Sequence, residues 1–120
     1  MAKWQIDLML DAGLDYISTN TTQLFVCKGQ PANYAGIAAE ALTGGATPSF
    51  QANANGDGGG RKLAVDEEPD ISITGSGDAE HIALASADTL LYVTTCTLQN
   101  LTSGGTVTVP TWDIEIDDAA

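Results

Sequence analysis

The stretch "TWDIEID", residues 111–117, decides the fold class, because apolar and acidic side chains alternate along it. The apolar residues are Trp112, Ile114 and Ile116, and the acidic ones are Asp113, Glu115 and Asp117. Successive side chains of a β-strand point to opposite faces of its sheet, so this alternation predicts a strand with one buried and one solvated face. The row of carboxylates also protects an exposed strand edge from wrong pairing.

Further short β-like runs precede this strand in the second half of the chain. They are "RKLAV" (61–65), "ISIT" (71–74), "AEHIALA" (79–85), "TLLYVTTCT" (89–97) and "GTVTVP" (105–110). Short strands separated by turn residues at this spacing are typical of an antiparallel β-sandwich or a barrel-like sheet. The run at 89–97 is apolar on both faces at its beginning, so we expect it to be a central strand. We expect the same of "QLFVCK" (23–28), a short β-rich run in the first half.

One α-helix is predicted at the N-terminus, at about residues 4–18. Most of its apolar residues fall on one side of a helical wheel, whereas Asp7, Asp11 and Asp15 fall on the other. The apolar side comprises Ile6, Met9, Leu10, Gly13, Leu14, Tyr16 and Ile17. Three acids at this spacing could form a metal-binding face, but a solvated helix face explains them more simply. We therefore expect the three carboxylates to face solvent.

A long loop is predicted at about residues 29–50, where Pro, Gly and Asn mark turns. Within it, "AGIAAEAL" (35–42) could form one or two helical turns. Long connections are usually functional or mobile, so this one is a candidate contact arm. Together these patterns predict one domain over residues 1–120, mainly β, with the N-terminal helix and a β-rich part at 61–118.

The charge balance restricts the partners that this protein can have. Sixteen acidic residues against four basic ones give a formal net charge of −12. Such a surface repels the phosphates of nucleic acids and anionic membranes, so we expect neither as a partner. The sequence also contains no apolar run long enough to span a membrane and no N-terminal signal peptide, which predicts synthesis in the cytoplasm.

Cys27 and Cys96 are then expected to stay reduced as two buried thiols, the alternatives being a disulfide or a reactive thiol.

The segment "NGDGGGRKLAVDEEPD" (55–70) combines the residues of two kinds of ligand site. A phosphate loop needs a lysine directly after its last glycine and a helix after that, but here Arg61 intervenes and a predicted strand follows. The acids of "DEEPD" (66–70) lack the spacing of a calcium-binding loop and are broken by Pro69. The sequence therefore predicts neither a cofactor nor a metal site, and instead indicates a glycine-rich loop that leads into a strand.

Residues suited to catalysis are scarce. His81 is the only histidine, and it lies in a predicted strand where a packed or surface role is more common than a catalytic one. No nucleophile lies in a G-x-S-x-G elbow, and sixteen acids make accidental carboxylate pairs unavoidable. We therefore predict that the protein is not an enzyme and has no catalytic residues.

Several sequence landmarks occur in one order along the chain. They are "LDAGLDYI", "VCKGQPANYA", "GRK", "HIAL", "LLYVTTCT" and "WDIEI". In this pattern the chain resembles small virion structural proteins of tailed bacteriophages, some of which are capsid decoration (cement) proteins. The resemblance implies a protein on the capsid surface of a virion that binds and stabilises the assembled head shell. Its implied partners are the major capsid protein and neighbouring copies in a homo-oligomer, with a trimer favoured.

Two other roles remain open at this stage: a neck, tail or baseplate-associated subunit, and a module that binds the host surface. For a partner interface, the candidate residues are Trp4, Tyr34, Arg61 and Lys62, because aromatic residues and arginine are enriched at interfaces. For Trp4 and Tyr34 the alternative is core packing. For Arg61 and Lys62, which carry half of the positive charge in the chain, the alternative is an internal salt bridge.

Overall fold

A computed structural model describes residues 7–55 and 60–116 of the chain. The helices of this part are α1 (Asp7–Asn20) and α2 (Tyr34–Glu40). Its strands are β1 (Gln23–Cys27), β2 (Ala54–Asn55), β3 (Arg61–Val65), β4 (Glu68–Ser72), β5 (Gly77–Ala85), β6 (Leu90–Leu101), β7 (Thr106–Val109) and β8 (Trp112–Ile116). The predicted beginning of the first helix, residues 4–6, lies outside the described residues.

The strands form three antiparallel sheets with the orders β1-β5-β6, β2-β3-β8 and β4-β7. Buried side chains from α1 and from every sheet belong to a single hydrophobic cluster, so the sheets enclose one core in a sandwich-like arrangement. Its fully buried members include Leu14, Leu24, Leu63, Val65 and Leu84. The predicted mainly β fold with antiparallel sheets and an N-terminal helix is confirmed.

The predicted strand positions within the first sheet were wrong. The central strand is β5, in which residues 82–85 are all buried, whereas β1 and β6 lie on either side of it. Most of β6 is half-buried or exposed, although its first residues are apolar. The outer edge of β1 is covered by the following connection through isolated bridges, from Leu24 to Ala46 and from Cys27 to Ala41.

The face that α1 turns to the core matches the helical wheel at Leu14 and Ile17 but differs from it at two other positions. Leu14 is fully buried, but Tyr16, expected on the apolar side, is 60% exposed. Asp11, expected to face solvent, is half-buried because it pairs with Arg61 of β3. A side chain near the end of α1 bonds to the helix backbone, because Asn20 Nδ2 donates to the Tyr16 carbonyl at 2.8 Å.

The connection between residues 29 and 50 is packed against the first sheet over part of its length. The helix α2 begins after Asn33, whose Oδ1 accepts a hydrogen bond from the Gly36 amide at 2.8 Å. Ile37 of α2 is buried, and so is Thr43, which accepts a hydrogen bond from the Val26 amide at 3.1 Å. The predicted helical turns are therefore present, and they hold this connection on β1.

Candidate functional site

Arg61, one of the predicted interface residues, contacts α1 within its own chain. Its Nε lies 2.8 Å from Asp11 Oδ1, and its Nη2 lies 3.3 Å from Asp11 Oδ2, so guanidinium and carboxylate meet side by side. Its Nη1 donates to Asn55 Oδ1 at 2.8 Å. The internal salt bridge considered for this residue is thus present. It anchors the first turns of the helix to β3.

Lys62 also has an acidic neighbour on the adjacent strand. Its Nζ lies 3.6 Å from Asp113 Oδ2 of β8, and both side chains are partly exposed. In the register of the two strands Lys62 is paired with Glu115, so Asp113 is a diagonal neighbour on the same face. Like Arg61, Lys62 is therefore bound within the chain, and its role at a partner interface remains a prediction.

Tyr34 lies at the first position of α2, where it is half-buried, and its hydroxyl is 3.4 Å from Gln23 Oε1. It lines a cavity of about 270 Å³ together with Phe25, Ile37 and Thr74. This position agrees with the packing alternative, while its use at an interface is untested. Trp4 lies outside the described residues.

The acidic run at 66–70 is divided between a connection and the strand β4. Glu68 pairs with Val109 and Ile71 with Val107, so Pro69 and Asp70 lie in a bulge; Asp70 has a φ of 54°. Asp66 accepts a hydrogen bond from Gln51 Nε2 at 2.8 Å. Over residues 7–55 and 60–116, no three His, Cys, Asp or Glu side chains are arranged to hold a metal ion.

The two cysteines do not form a disulfide. Burial, followed by the charges of Glu40 and Cys96, raises the pKa of the Cys27 thiol to about 11. Burial and Glu80 also raise the pKa of Cys96, which is half-buried rather than buried as expected. A reactive cysteine requires a lowered pKa and access to its reagent, so neither thiol has the surroundings of a nucleophile.

One long stretch of the chain differs from the rest because it contains no charged residue. Between Asp88 and Asp113 the chain contains no acidic or basic residue and no histidine, although the protein has a net charge of −12. This stretch, residues 89–112, forms β6, β7 and the turn between them, and we call it the uncharged segment. Many of its residues are exposed, among them Leu98 at 56%. A count of charges along the sequence would have found it, whereas a search for motifs did not.

The path of β6 is interrupted in the middle of this segment. Ala79 of β5 pairs with Gln99, and His81 pairs with Thr95, so residues 96–98 lie opposite Glu80 alone. Bulges of this kind bend the strand and change the direction of its side chains. Regular pairing resumes beyond the bulge, where residues 99–101 of β6 pair with residues 77–79 of β5.

A cleft of about 460 Å³ lies between β6 and β7 at this bulge. Residues 94–97 of β6 and 107–110 at the end of β7 line its walls, and Val26 and Ile82 belong to its lining from the first sheet. Trp112 closes one end and stacks on Tyr92, with ring centroids 6.1 Å apart and an interplanar angle of 25°. We call this the β6–β7 cleft.

The lining of the β6–β7 cleft is mostly neutral and partly apolar. Asp113 is its one charged residue, and the others are threonines, a glutamine, a cysteine and apolar side chains. The only histidine, His81, is not part of the lining. Neutral, partly apolar concave surfaces of this size are typical of ligand and peptide sites. Cys96, the one cysteine of the lining, has a raised pKa.

No helix of the described residues has the length and apolar composition needed to cross a bilayer. No protein-family model matches the chain, and comparisons with curated proteins and with solved structures found no significant match. Function is therefore inferred from the surface of the molecule and from the sequence pattern.

Proposed function

We propose that this protein is a structural component of a tailed-bacteriophage particle, a decoration protein that binds the outside of the assembled head. The observation that carries this proposal is the separation of charge on one small domain. A chain with a net charge of −12 exposes part of its longest uncharged segment on two consecutive strands, β6 and β7. Such a surface provides a contact side and a solvated side.

The contact side is the exposed part of the uncharged segment with the β6–β7 cleft. The interior of a protein interface is depleted of charged residues, as this segment is. Natural proteins usually protect exposed strand edges with charged side chains, and β6 has none along its whole length. Coverage by another protein would provide the protection that charge does not.

The solvated side is acidic. Exposed carboxylates lie on β5 and β8, among them those of Asp78, Glu80 and Glu115. On a particle, a coat of such faces would repel the coats of neighbouring particles and keep them dispersed. The same charge is the reason that nucleic acid and membranes are not expected as partners.

A decoration protein needs no chemistry, because it stabilises a shell by binding the assembled lattice in preference to the dispersed subunits. Its partner under this proposal is the major capsid protein, with neighbouring copies of the chain in a homo-oligomer, for which a trimer is favoured. The two thiols of raised pKa and the neutral cleft agree with a binding role.

A reconstruction of the purified particle, with the density of this protein assigned, tests the proposal. We expect the protein on the outer surface of the head, in a copy number that follows the number of shell subunits. A ring at the neck, tail or baseplate, with few copies per particle, would contradict the proposal and indicate a subunit at that position instead. Binding of the free protein to intact host cells, without density on the head, would indicate a host-surface module instead.

A further inference from the structure

We propose that the β6–β7 cleft binds an extended segment of a different protein, which pairs with the strand edges that form its walls. The segment has an uncharged, β-forming centre with basic residues on both sides. The inference relies on the proposed function only for the source of this segment, the shell protein. Recognition by added strands uses backbone hydrogen bonds for affinity and side-chain pockets for selection.

The walls of the cleft are strand edges rather than strand faces. Successive side chains of a strand point to opposite faces, so a cleft beside one face contacts every second residue. This cleft is lined by the successive residues 94–97 on one side and 107–110 on the other. Within the described chain β6 pairs only with β5, and β7 pairs only with β4. Backbone groups on both walls are thus available to an added strand.

The bulge of β6 explains why the two edges do not pair with each other. Only Glu80 of β5 lies opposite residues 96–98 of β6. This mismatch bends β6 where the cleft lies. Ile82 and Val26, two buried residues of the core, belong to the lining of the cleft. An incoming strand would place alternate side chains against this apolar floor and the others toward solvent.

The charges around the cleft specify the chemistry of the partner. Apart from Asp113 the lining is uncharged, which favours an uncharged centre, because a charge placed there would lose water without gaining an opposite charge. Acidic residues lie at the borders: Asp88 precedes the uncharged segment, Asp113 follows it, and Asp78 and Glu80 lie on the adjacent β5. Lysine or arginine on both sides of the centre would complement these carboxylates.

The same charges argue against a second copy of this chain as the occupant. Its own uncharged segment is bordered by Asp88 and Asp113, so pairing of two copies would bring acids toward acids. The four basic residues of the chain occur at positions 3, 28, 61 and 62, none of them within that segment, and Lys62 already pairs with Asp113 of its own chain. A partner with basic borders is therefore another protein.

A displayed library of random linear peptides, selected on the full-length protein, tests this inference directly. The matched selection uses the Thr97→Trp variant, in which an exposed residue of the wall becomes large enough to fill part of the cleft. Thr102→Trp, at an exposed position next to the same strand and outside the lining, is the control. Enriched peptides are then synthesised and titrated against the three proteins by fluorescence anisotropy.

We expect enriched peptides with an uncharged, β-forming centre and basic ends, and affinities that fall at least about tenfold in Thr97→Trp but not in Thr102→Trp. Hydrogen exchange with the peptide bound should slow at residues 94–97 and 107–109. Equal enrichment on wild type and Thr97→Trp, acidic peptides, or protection confined to other strands would overturn the inference.

Sedimentation equilibrium of the protein alone tests whether a second copy of the chain occupies the cleft. A concentration-dependent dimer that Thr97→Trp abolishes would make a second copy the occupant, contrary to the inference. The proposed function can fail separately: if the particle reconstruction shows the protein away from the head, peptide binding to the cleft would still stand, with a different source for the segment.

Discussion

Arg61 Nε lies 2.8 Å from Asp11 Oδ1, and this contact joins the first strand after the glycine-rich loop to the N-terminal helix. Both side chains are largely shielded from solvent, with 17% and 20% of their surface exposed. The two residues are far apart in sequence, so the ion pair closes a long loop of the fold. Its side-by-side geometry distinguishes it from an ordinary surface salt bridge.

We predict that Asp11→Asn lowers the free energy of unfolding by about 1 kcal/mol, because the remaining amide accepts one weaker hydrogen bond in place of a charged pair. Arg61→Met should have a larger effect, since Arg61 also donates to Asn55. Urea unfolding of both variants and the double variant measures the coupling. Asp15→Asn, at the next turn of α1 with an exposed side chain, is the control. Additive effects of Asp11→Asn and Arg61→Met would show that the pair contributes nothing.

The strand order predicts that two leucines differ in their contribution to stability. Leu84 on β5 is buried, whereas Leu98 on β6 is exposed. Leu84→Ala should lower the free energy of unfolding by roughly 2–5 kcal/mol, because it leaves a cavity in the core. Leu98→Ala should change it by less than about 0.5 kcal/mol, since the side chain already contacts water. Chemical denaturation of both variants provides the comparison, and similar losses would contradict the assignment of β5 as the central strand.

The local pattern of each strand was predictable, whereas the order of the strands was not. The alternation in β8 directly indicates which residues are buried, and Ile114 is buried while Asp113 and Glu115 are exposed, as expected. The position of β6 depends on pairing with β5, a distant segment, and its apolar first residues are equally compatible with a central or a flanking strand.

The same distinction between local and distant information applies to the candidate site. A helical wheel gives Asp11 a solvated position because it takes no account of Arg61, which approaches from β3. The interface candidates were chosen by residue type, but Arg61 and Lys62 both bind acids of their own chain. The cleft depends on a bulge that no residue pattern in β6 indicates, although the uncharged segment around it is visible in the sequence.

The raised pKa of Cys27 makes stability depend on alkaline pH. In the unfolded chain the thiol loses its proton near the ordinary cysteine pKa of 9.0, while the folded protein holds it up to about 11. The folded state therefore binds more protons between these values, and stability falls as the pH rises through this interval. The contribution of Cys27 is fully present below pH 9 and is lost by about pH 11.

We expect the wild type to lose on the order of 1–2 kcal/mol more than Cys27→Ala between pH 8.5 and pH 10.5, as measured by urea unfolding under reducing conditions. The difference between the two proteins isolates the thiol, because lysines and tyrosines titrate in both. Cys96→Ala provides the control, and it should follow the wild type more closely, since Cys96 is only half-buried. Parallel pH profiles of wild type and Cys27→Ala would contradict the prediction.

Lys62 and Asp113 distinguish two ways in which the protein would bind the partner proposed for it. Asp113 belongs to the lining of the β6–β7 cleft, and Lys62 Nζ lies 3.6 Å from its carboxylate. If a basic border of the partner segment binds Asp113, then Lys62 competes with it. We therefore expect Lys62→Ala to leave occupancy on the purified particle unchanged or to raise it, with the largest effect at low salt, where charge interactions are least screened.

Occupancy is measured by adding variant protein to particles that lack the wild type and quantifying the bound protein after sedimentation. Lys28→Ala, which removes an exposed lysine beyond the end of β1, controls for the change in net charge. Because Lys62 is partly exposed and its pairing is of the surface kind, the variant should fold with nearly unchanged stability. Occupancy that falls in Lys62→Ala but not in Lys28→Ala would instead make Lys62 a direct contact, as its scarce positive charge first suggested. It would also place the basic side of the interface on this protein rather than on its partner.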